Sequence, residues 1–412
     1  MVEDPWEWYD EPMQASADVI VVGLGAAGSA ALYQLAKRGV ATLGIDSFQP
    51  PHQHGSSHGD TRITRLALGE GSHYVPLARR SHEIWRELEM ASGRRLFRSV
   101  GCLIYGSRAT PNAAHGVADF LQTTLDVARQ HGIAHELLDA PALRLRFPQF
   151  RFYDDDYGCF EPSGGFVHPE ACITTQLDQA RRLGARTHLY ERVTGWTTSA
   201  CGIEVTTTRA TYAADRLILT AGAWLPALVP VLTTHVRVCR QVMFWFVPEG
   251  DHVNFTPERM PVYVRVSDTP GRMFYGFPAI DGPGGGLKIA GEQFERADGP
   301  DEIDPKVSAD EEAAMYARAA PHLHIGARCV RAVVCKYTVT PDFDFAIDHP
   351  PETERVWFAS ACSGHGFKHS AAVGEVLAEI IVAGKTGFDL SRFSLDRFVS
   401  ARTADGGQPA NR

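Results

Sequence analysis

Asp18-Val-Ile-Val-Val-Gly23-Leu-Gly25-Ala-Ala-Gly28 is a segment that few architectures accommodate. Apolar β-branched residues lead into a glycine turn, a stretch of helical character follows, and Thr42-Leu-Gly-Ile-Asp46 reads as a second strand ending in an acid. That succession is the βαβ unit that holds an ADP moiety. Gly23 permits the tight turn, Gly25 lets the backbone approach a pyrophosphate, and Gly28 lets the helix pack close to the sheet. Ala26 and Ala27 open the helix, whose free N–H groups and positive dipole end face the phosphates. Asp46 stands where its carboxylate accepts hydrogen bonds from both ribose hydroxyls.

Val19 to Ala36 carries no charge, so a signal peptide or membrane helix is the rival reading. Its flanks exclude it: Glu3, Asp4, Glu7, Asp10 and Glu11 precede the run where a signal needs basic residues, and the run itself is rich in Gly and Ala. The 412 residues suffice for two domains with sizeable cores. A net charge of −9 and the absence of a basic block argue against nucleic acid or an anionic membrane as partner, which leaves a small molecule. The eight cysteines (102, 159, 172, 201, 239, 329, 335 and 362) show neither a Cys-x-x-Cys pair nor zinc spacing. They are expected to be reduced thiols in a cytoplasmic protein without a metal site.

Met1 to Ala17, with Trp6, Trp8 and Tyr9, has no helical or strand period and reads as an extension outside the fold. A His/Gly/Ser-rich loop spans Pro50 to Asp60, and the pattern predicts helices near 75–90, 117–131, 140–146, 170–183, 309–320 and 370–383. Phe97 to Tyr105 reads as one strand, and Leu217-Ile-Leu-Thr-Ala-Gly222 delivers a buried strand to a small-residue turn. Residues 236–294 alternate β-branched and aromatic side chains with Gly/Pro turns, which predicts an antiparallel sheet.

Four clusters carry chemistry. His58-Gly-Asp60-Thr61-Arg62-Ile-Thr-Arg65 places two guanidinium groups three residues apart, the side chain best shaped to grip a carboxylate or phosphate. Phe274-Tyr275-Gly-Phe-Pro278 and Gly284-Gly-Gly-Leu-Lys288 offer an aromatic wall and a strand lysine. Cys335-Lys336-Tyr337-Thr338 and Ser363-Gly364-His365-Gly366-Phe367-Lys368 complete the set. Each alone is compatible with a structural role.

Together and in this order, after an ADP-binding unit, the clusters resemble the amine-oxidising flavoproteins of the D-amino-acid-oxidase superfamily, in particular the monomeric sarcosine oxidase and N-methyltryptophan oxidase family. The resemblance runs from about Asp18 to Phe398. It implies an α/β fold: a Rossmann-like FAD-binding domain (18–97, 159–228 and 330–412) interleaved with a mostly antiparallel substrate domain (98–158 and 229–329). It implies FAD, with Gly23, Gly25, Gly28 and Asp46 on the ADP half, His58, Thr61, Arg62, Gly364, Gly366, Phe367 and Lys368 around the remainder, and Cys335 joined to the flavin 8α-methyl by a thioether. Arg65 and Lys368 would bind a substrate carboxylate, Tyr275 and Tyr337 would orient the amine, and His365 would lie near the flavin. Arg62 and Lys288 would supply positive potential, Lys288 at the site where O2 is reduced. Glu292 departs from the pattern, since those enzymes carry a histidine there; an anion changes the potential of the substrate pocket. Lys336 after the flavin cysteine is a second departure.

The expected activity is oxidation of the C–N bond of an N-substituted amino acid, N-methyl or N-carboxymethyl, to an imine that hydrolyses, with O2 reduced to H2O2 by a monomer. A cyclic amino acid oxidase of the proline or pipecolate type, a flavin dehydrogenase that passes electrons to a partner, and a non-enzymatic flavin-binding protein remain open as alternatives.

Overall fold

Val19 to Val22 has the composition of a strand buried on both faces, and all four residues are buried. The computed structural model describes residues 14–398 apart from 111, 201, 268, 270, 271 and 298. Strand Gln14–Val22 lies between two parallel neighbours, Thr42–Asp46 and Thr211–Leu219. Arg186–Leu189 extends the eight-stranded sheet beyond Thr42–Asp46. On the other side Thr211–Leu219 pairs in parallel with Val356–Ser360 and antiparallel with Gly202–Thr207. Helix Ala26–Lys37 packs on this sheet beside Ser370–Ala383, and the two approach so closely that a Cβ on Gly374 would overlap Ala30. Val373, Val376 and Leu377 are fully buried there, each contributing roughly 1.5–3 kcal/mol.

A second eight-stranded sheet runs in the order 325–339, 237–248, 287–291, 274–276, 262–265, 102–107, 156–161, 136–139. Its neighbours are antiparallel except Val262–Arg265 with Cys102–Ser107. A core of Phe150, Phe244, Phe246, Phe274 and Leu323 lies against it. A small three-stranded sheet holds Arg62–Thr64, Gly165–Val167 and Phe97–Ser99. Among the described residues no helix is long and apolar enough to cross a membrane.

Several expectations need correction. The first strand begins at Gln14, where it pairs with Tyr212, so residues 14–17 belong to the sheet and not to an extension; Trp6, Trp8 and Tyr9 lie outside the described residues. Phe97 to Tyr105 is two strands in two different sheets. Gly101 breaks it, with φ +81° and a position where a Cβ would strike the Phe160 ring. Strands Asp156–Glu161 and Ile325–Val339 both pair within the second sheet. Residues 159–161 and 330–339 are therefore hydrogen-bonded to that sheet, whereas the sequence reading groups them with the nucleotide-binding part.

Candidate active site

Val22 pairs with both Ile45 and Leu219, so Gly23 and Thr220 leave the first sheet beside Asp46, the last residue of its strand, with Ala361 following from the neighbouring strand. Carboxyl ends of parallel strands are where such sheets bind ligands. A cavity of about 420 Å³ opens there, lined by Gly23, Gly25, Ala26, Ala27, Asp46 and Thr220 among others. Gly23 adopts φ +83°, and a Cβ on it would stand 2.7 Å from the Ala221 Cα; a Cβ on Gly28 would overlap the Gly23 carbonyl. Gly25 differs, since the nearest atom to its imagined Cβ is the Ser57 Oγ at 3.8 Å, which leaves its backbone approachable. Gly25 caps the helix and lines the cavity with Ala26 and Ala27, so the helix start, with its unpaired N–H groups, faces it. Asp46 accepts the Leu24 N–H on Oδ2 (2.7 Å) and the Phe48 N–H on Oδ1 (2.9 Å), with acceptor capacity left on each oxygen. A dinucleotide with phosphates at the helix start and a diol at Asp46 fits these groups.

A smaller cavity of about 130 Å³ adjoins the first, and Ala26, Ala27, Ser56, Ser57, Ala361 and Cys362 line both. The sheets bring Arg62, Arg65, Tyr275, Glu292, Tyr337 and His365 to its wall, with Gly364, Gly366, Phe367 and Lys368. Strand pairing explains the tyrosines: Tyr275 lies beside Ala290, and Tyr337 follows Cys335 two residues on along the sheet's outermost strand. Their hydroxyls are 3.2 Å apart. Burial pushes the Tyr275 phenol up to about 12 and Tyr337 well above its ordinary range, so both stay neutral. Arg62 is oriented by the carbonyls of Thr61 and Ser56, each accepting at 2.8 Å.

The two cations that the sequence reading assigns to a carboxylate are engaged by Glu70. Arg65 Nη2 donates to Glu70 Oε2 at 2.9 Å and Lys368 Nζ to Glu70 Oε1 at 2.8 Å, all three side chains being deeply buried. Burial alone would raise the Glu70 carboxyl, but Arg65 and Lys368 hold it well below the carboxylate range. For Lys368 burial wins over Glu70 and lowers the ammonium to about 8. His365 stands beside it with Nε2 3.1 Å from the Phe343 carbonyl and Nδ1 without a partner. Burial, then Lys368, keeps its imidazole neutral.

Five residues that the sequence assigns to the site line neither cavity: Gly28, Lys288, Thr61, His58 and Cys335. Lys288 lies beneath the loop that leads into Arg62, donating to the carbonyls of Gly59 and Thr61 at 2.7 Å, with Phe277 and Trp245 rings at 4.6 and 5.7 Å. Burial, then Arg62, pulls its pKa well down. Thr61 is buried and also offers its hydroxyl to Lys288 at 3.4 Å. His58 is buried, and burial with Arg62 and Lys288 takes its pKa to about 3. Cys335 is buried opposite Gln241; burial raises its thiol pKa while Arg62 and Lys288 oppose the rise. Strand Leu287–Gly291 ends before Glu292, so Glu292 reaches the cavity wall while Lys288 does not.

Sequence reasoning missed Glu70, His115 and Cys362, all on the smaller cavity's wall. Glu70, five residues after Arg65, is the nearest following carboxylate and could have been read as its counter-charge. His115 comes from a loop, at φ +48°, and its Nε2 lies 2.9 Å from Glu292 Oε1. No local pattern marks it. Cys362 lines both cavities and precedes the Ser-Gly-His-Gly-Phe-Lys cluster directly.

The chain matches the family model described as FAD dependent oxidoreductase over residues 18–380. It is 37% identical over 398 residues to the monomeric sarcosine oxidase of Streptomyces avermitilis, covering 94% of this chain and 100% of that one. It is 34% identical over 384 residues to an N-methyl-L-tryptophan oxidase of Yersinia pestis, covering 92% and 99%. Among solved structures it resembles NikD, an amino acid oxidase of nikkomycin biosynthesis (TM-score 0.77, 24% identity, 92% and 97% covered). It also resembles glycine oxidase from Geobacillus kaustophilus (TM-score 0.74, 21% identity, 92% and 98% covered). The family model and relatives above 30% identity cover nearly the whole chain, and the chain belongs to the FAD dependent oxidoreductase family.

Proposed function

We propose that the protein is an FAD-dependent oxidase that acts on a secondary-amine amino acid, forming an imine that hydrolyses and reducing O2 to H2O2. The observation that carries this reading is the second cavity, in which buried Arg65 and Lys368 stand on the same wall as the paired hydroxyls of Tyr275 and Tyr337. The adjoining larger cavity would take the ADP half of FAD on Gly23, Gly25, Ala26, Ala27 and Asp46, and Arg62, Gly364, Gly366 and Phe367 would border its ring. FAD, when bound, supplies the two-electron acceptor for C–N oxidation.

The chain's own residues do the rest. A substrate carboxylate would displace Glu70 from Arg65 and Lys368, exchanging one charge-assisted pair for another between deeply buried side chains. The tyrosine hydroxyls, held neutral, orient the amine without adding charge. His365 borders the cavity as a neutral imidazole and adds no charge, and the amine must lose its proton before the adjacent carbon can be oxidised. Lys288 fixes a positive charge behind the Arg62 loop, where a cation favours the first electron transfer to O2. We assign the covalent flavin link to Cys335; Cys362, which lines both cavities, is the second reading. The first sheet with its helices would form the cofactor body and the second sheet the substrate body, in a monomer acting in a reducing compartment on a small molecule. The relatives named monomeric sarcosine oxidase support the monomer, and the free state of the seven described cysteines fits the compartment.

A peroxide assay of the purified protein against N-alkyl and cyclic amino acids and their decarboxylated amines tests the reading. Activity confined to the carboxylate-bearing compounds is expected. Equal activity on the amines removes Arg65 and Lys368 from substrate binding.

A further inference from the structure

The second cavity holds a carboxylate that the reaction just described does not use. Glu70 is neutralised by Arg65 and Lys368, but Glu292 meets only His115, at 2.9 Å on Oε1, with no further hydrogen bond or ion pair from the described residues. A carboxylate offers about four acceptor positions, so most of its capacity is unspent. Both side chains are nine-tenths buried, and His115 Nδ1 has no partner among the described residues. Gly364 keeps the space before the pair open: a Cβ there would come 3.2 Å from His115 Cε1 and Tyr337 Cε2 and 3.5 Å from Glu292 Oε1.

The wall is polarised along its length. Lys368 Nζ donates to the His365 carbonyl at 2.8 Å, the His365 and His115 rings lie edge to face at 5.2 Å, and His115 leads to Glu292. Arg65 and Lys368 outweigh Glu70 at one end, Glu292 is the carboxylate at the other with two imidazoles between, and Arg62 also lines the wall, close enough to act on Tyr275. The cationic end suits the substrate carboxylate. An anion beside the reacting nitrogen would hold its proton on and oppose oxidation, so Glu292 suits a different group.

We propose that Glu292, positioned by His115, is a specificity determinant that selects amino acids carrying a second cationic group, an ammonium or guanidinium, on the N-substituent or side chain. This rests on the reading of Arg65 and Lys368 as the carboxylate end. A nine-tenths-buried anion discriminates a cation from an alkyl group of the same shape, because a hydrogen bond to a charged group contributes about 1.5–3 kcal/mol, or roughly 10–100-fold in affinity.

Titration calorimetry on the anaerobic holoenzyme tests this without turnover. The probes are glycine and the straight-chain ω-amino acids from 3-aminopropanoate to 6-aminohexanoate, each against the alkanoate with a methyl in place of the ammonium. At least one ω-amino acid longer than glycine is expected to bind about tenfold or more tightly than its alkanoate, and in Glu292→Gln that ratio should fall to within about threefold. His115→Gln, which leaves the carboxylate but not the ring that fixes it, should lower the ratio partway. No preference at any length, or a preference that survives in Glu292→Gln, overturns the proposal. A preference confined to glycine also overturns it and assigns Glu292 to the reacting nitrogen. Alkanoates that fail to bind while the ω-amino acids retain their Glu292-dependent affinity would strike the carboxylate end, and with it the proposed function, instead.

Discussion

Glu70→Gln should make the protein less stable and a better binder of carboxylates at once. In the parent, Glu70 lies between Arg65 (2.9 Å) and Lys368 (2.8 Å), with both pairs nearly closed to solvent. Glutamine keeps the shape and one acceptor but leaves two buried cations without a counter-charge. Breaking a buried pair costs about 3–5 kcal/mol, and the retained acceptor argues for the lower end, about 3 kcal/mol. The same substitution ends the competition an incoming carboxylate faces for Arg65 and Lys368. Regaining charge-assisted hydrogen bonds of about 1.5–3 kcal/mol tightens its Kd by roughly 10–100-fold. Denaturant unfolding of parent and variant, with and without a saturating carboxylate that is not oxidised, reads both effects. Ligand at about 100 times Kd returns about 2.7 kcal/mol, so it should nearly restore the variant to the stability of the unliganded parent. A variant as stable as the parent, or one that binds carboxylates more weakly, would refute Glu70 as the counter-charge that substrate displaces.

Three further outcomes follow from the site. Acid precipitation should leave the flavin on the protein, and peptide mapping should find it on Cys335; a Cys335→Ser protein that keeps covalent flavin would move the link to Cys362. Lys288→Met should slow reoxidation of the reduced enzyme by O2 by about 10²–10³ in stopped flow, with anaerobic reduction far less affected. Because burial and Arg62 lower the Lys288 pKa, the parental reoxidation rate should decline with rising pH well before the ordinary lysine value of about 10.4, and Lys288→Met should lack that decline. Carboxylate affinity should be full at low pH and fall as pH rises through about 8, where free Lys368 loses its proton. Lys368→Arg should abolish that fall, since a guanidinium stays charged, and a parental affinity flat across this range would remove Lys368 from the site.

What could be read along the chain and what could not divides by distance. The turn at Gly23 to Gly28 and the acid at Asp46 are visible because a βαβ unit is contiguous, and the tasks of its glycines depend on near neighbours. Helix Ser370–Ala383 shows for the same reason. Phe97 to Tyr105 looks like one strand because alternation carries no sign of Gly101 handing the chain from one sheet to another. The long strand Ile325–Val339 is obscured because much of it is half-buried, with Arg328, Arg331 and Lys336 interrupting the apolar alternation. Glu70 and Lys368 meet across 298 positions, and His115 meets Glu292 from a loop without a motif. Lys288 was legible as a strand lysine, but its burial and its place beneath the Gly59 to Thr61 loop depend on a contact 229 residues away.

Anaerobic mixing with N-methylated and other N-substituted amino acids, followed by admission of O2 and assay of peroxide, tests the account most directly. The flavin absorbance should bleach with at least one such compound, and oxygen should restore it with formation of H2O2 equivalent to the substrate consumed. Bleaching by none of them, or bleaching that oxygen does not reverse, would contradict an oxidase of secondary-amine amino acids.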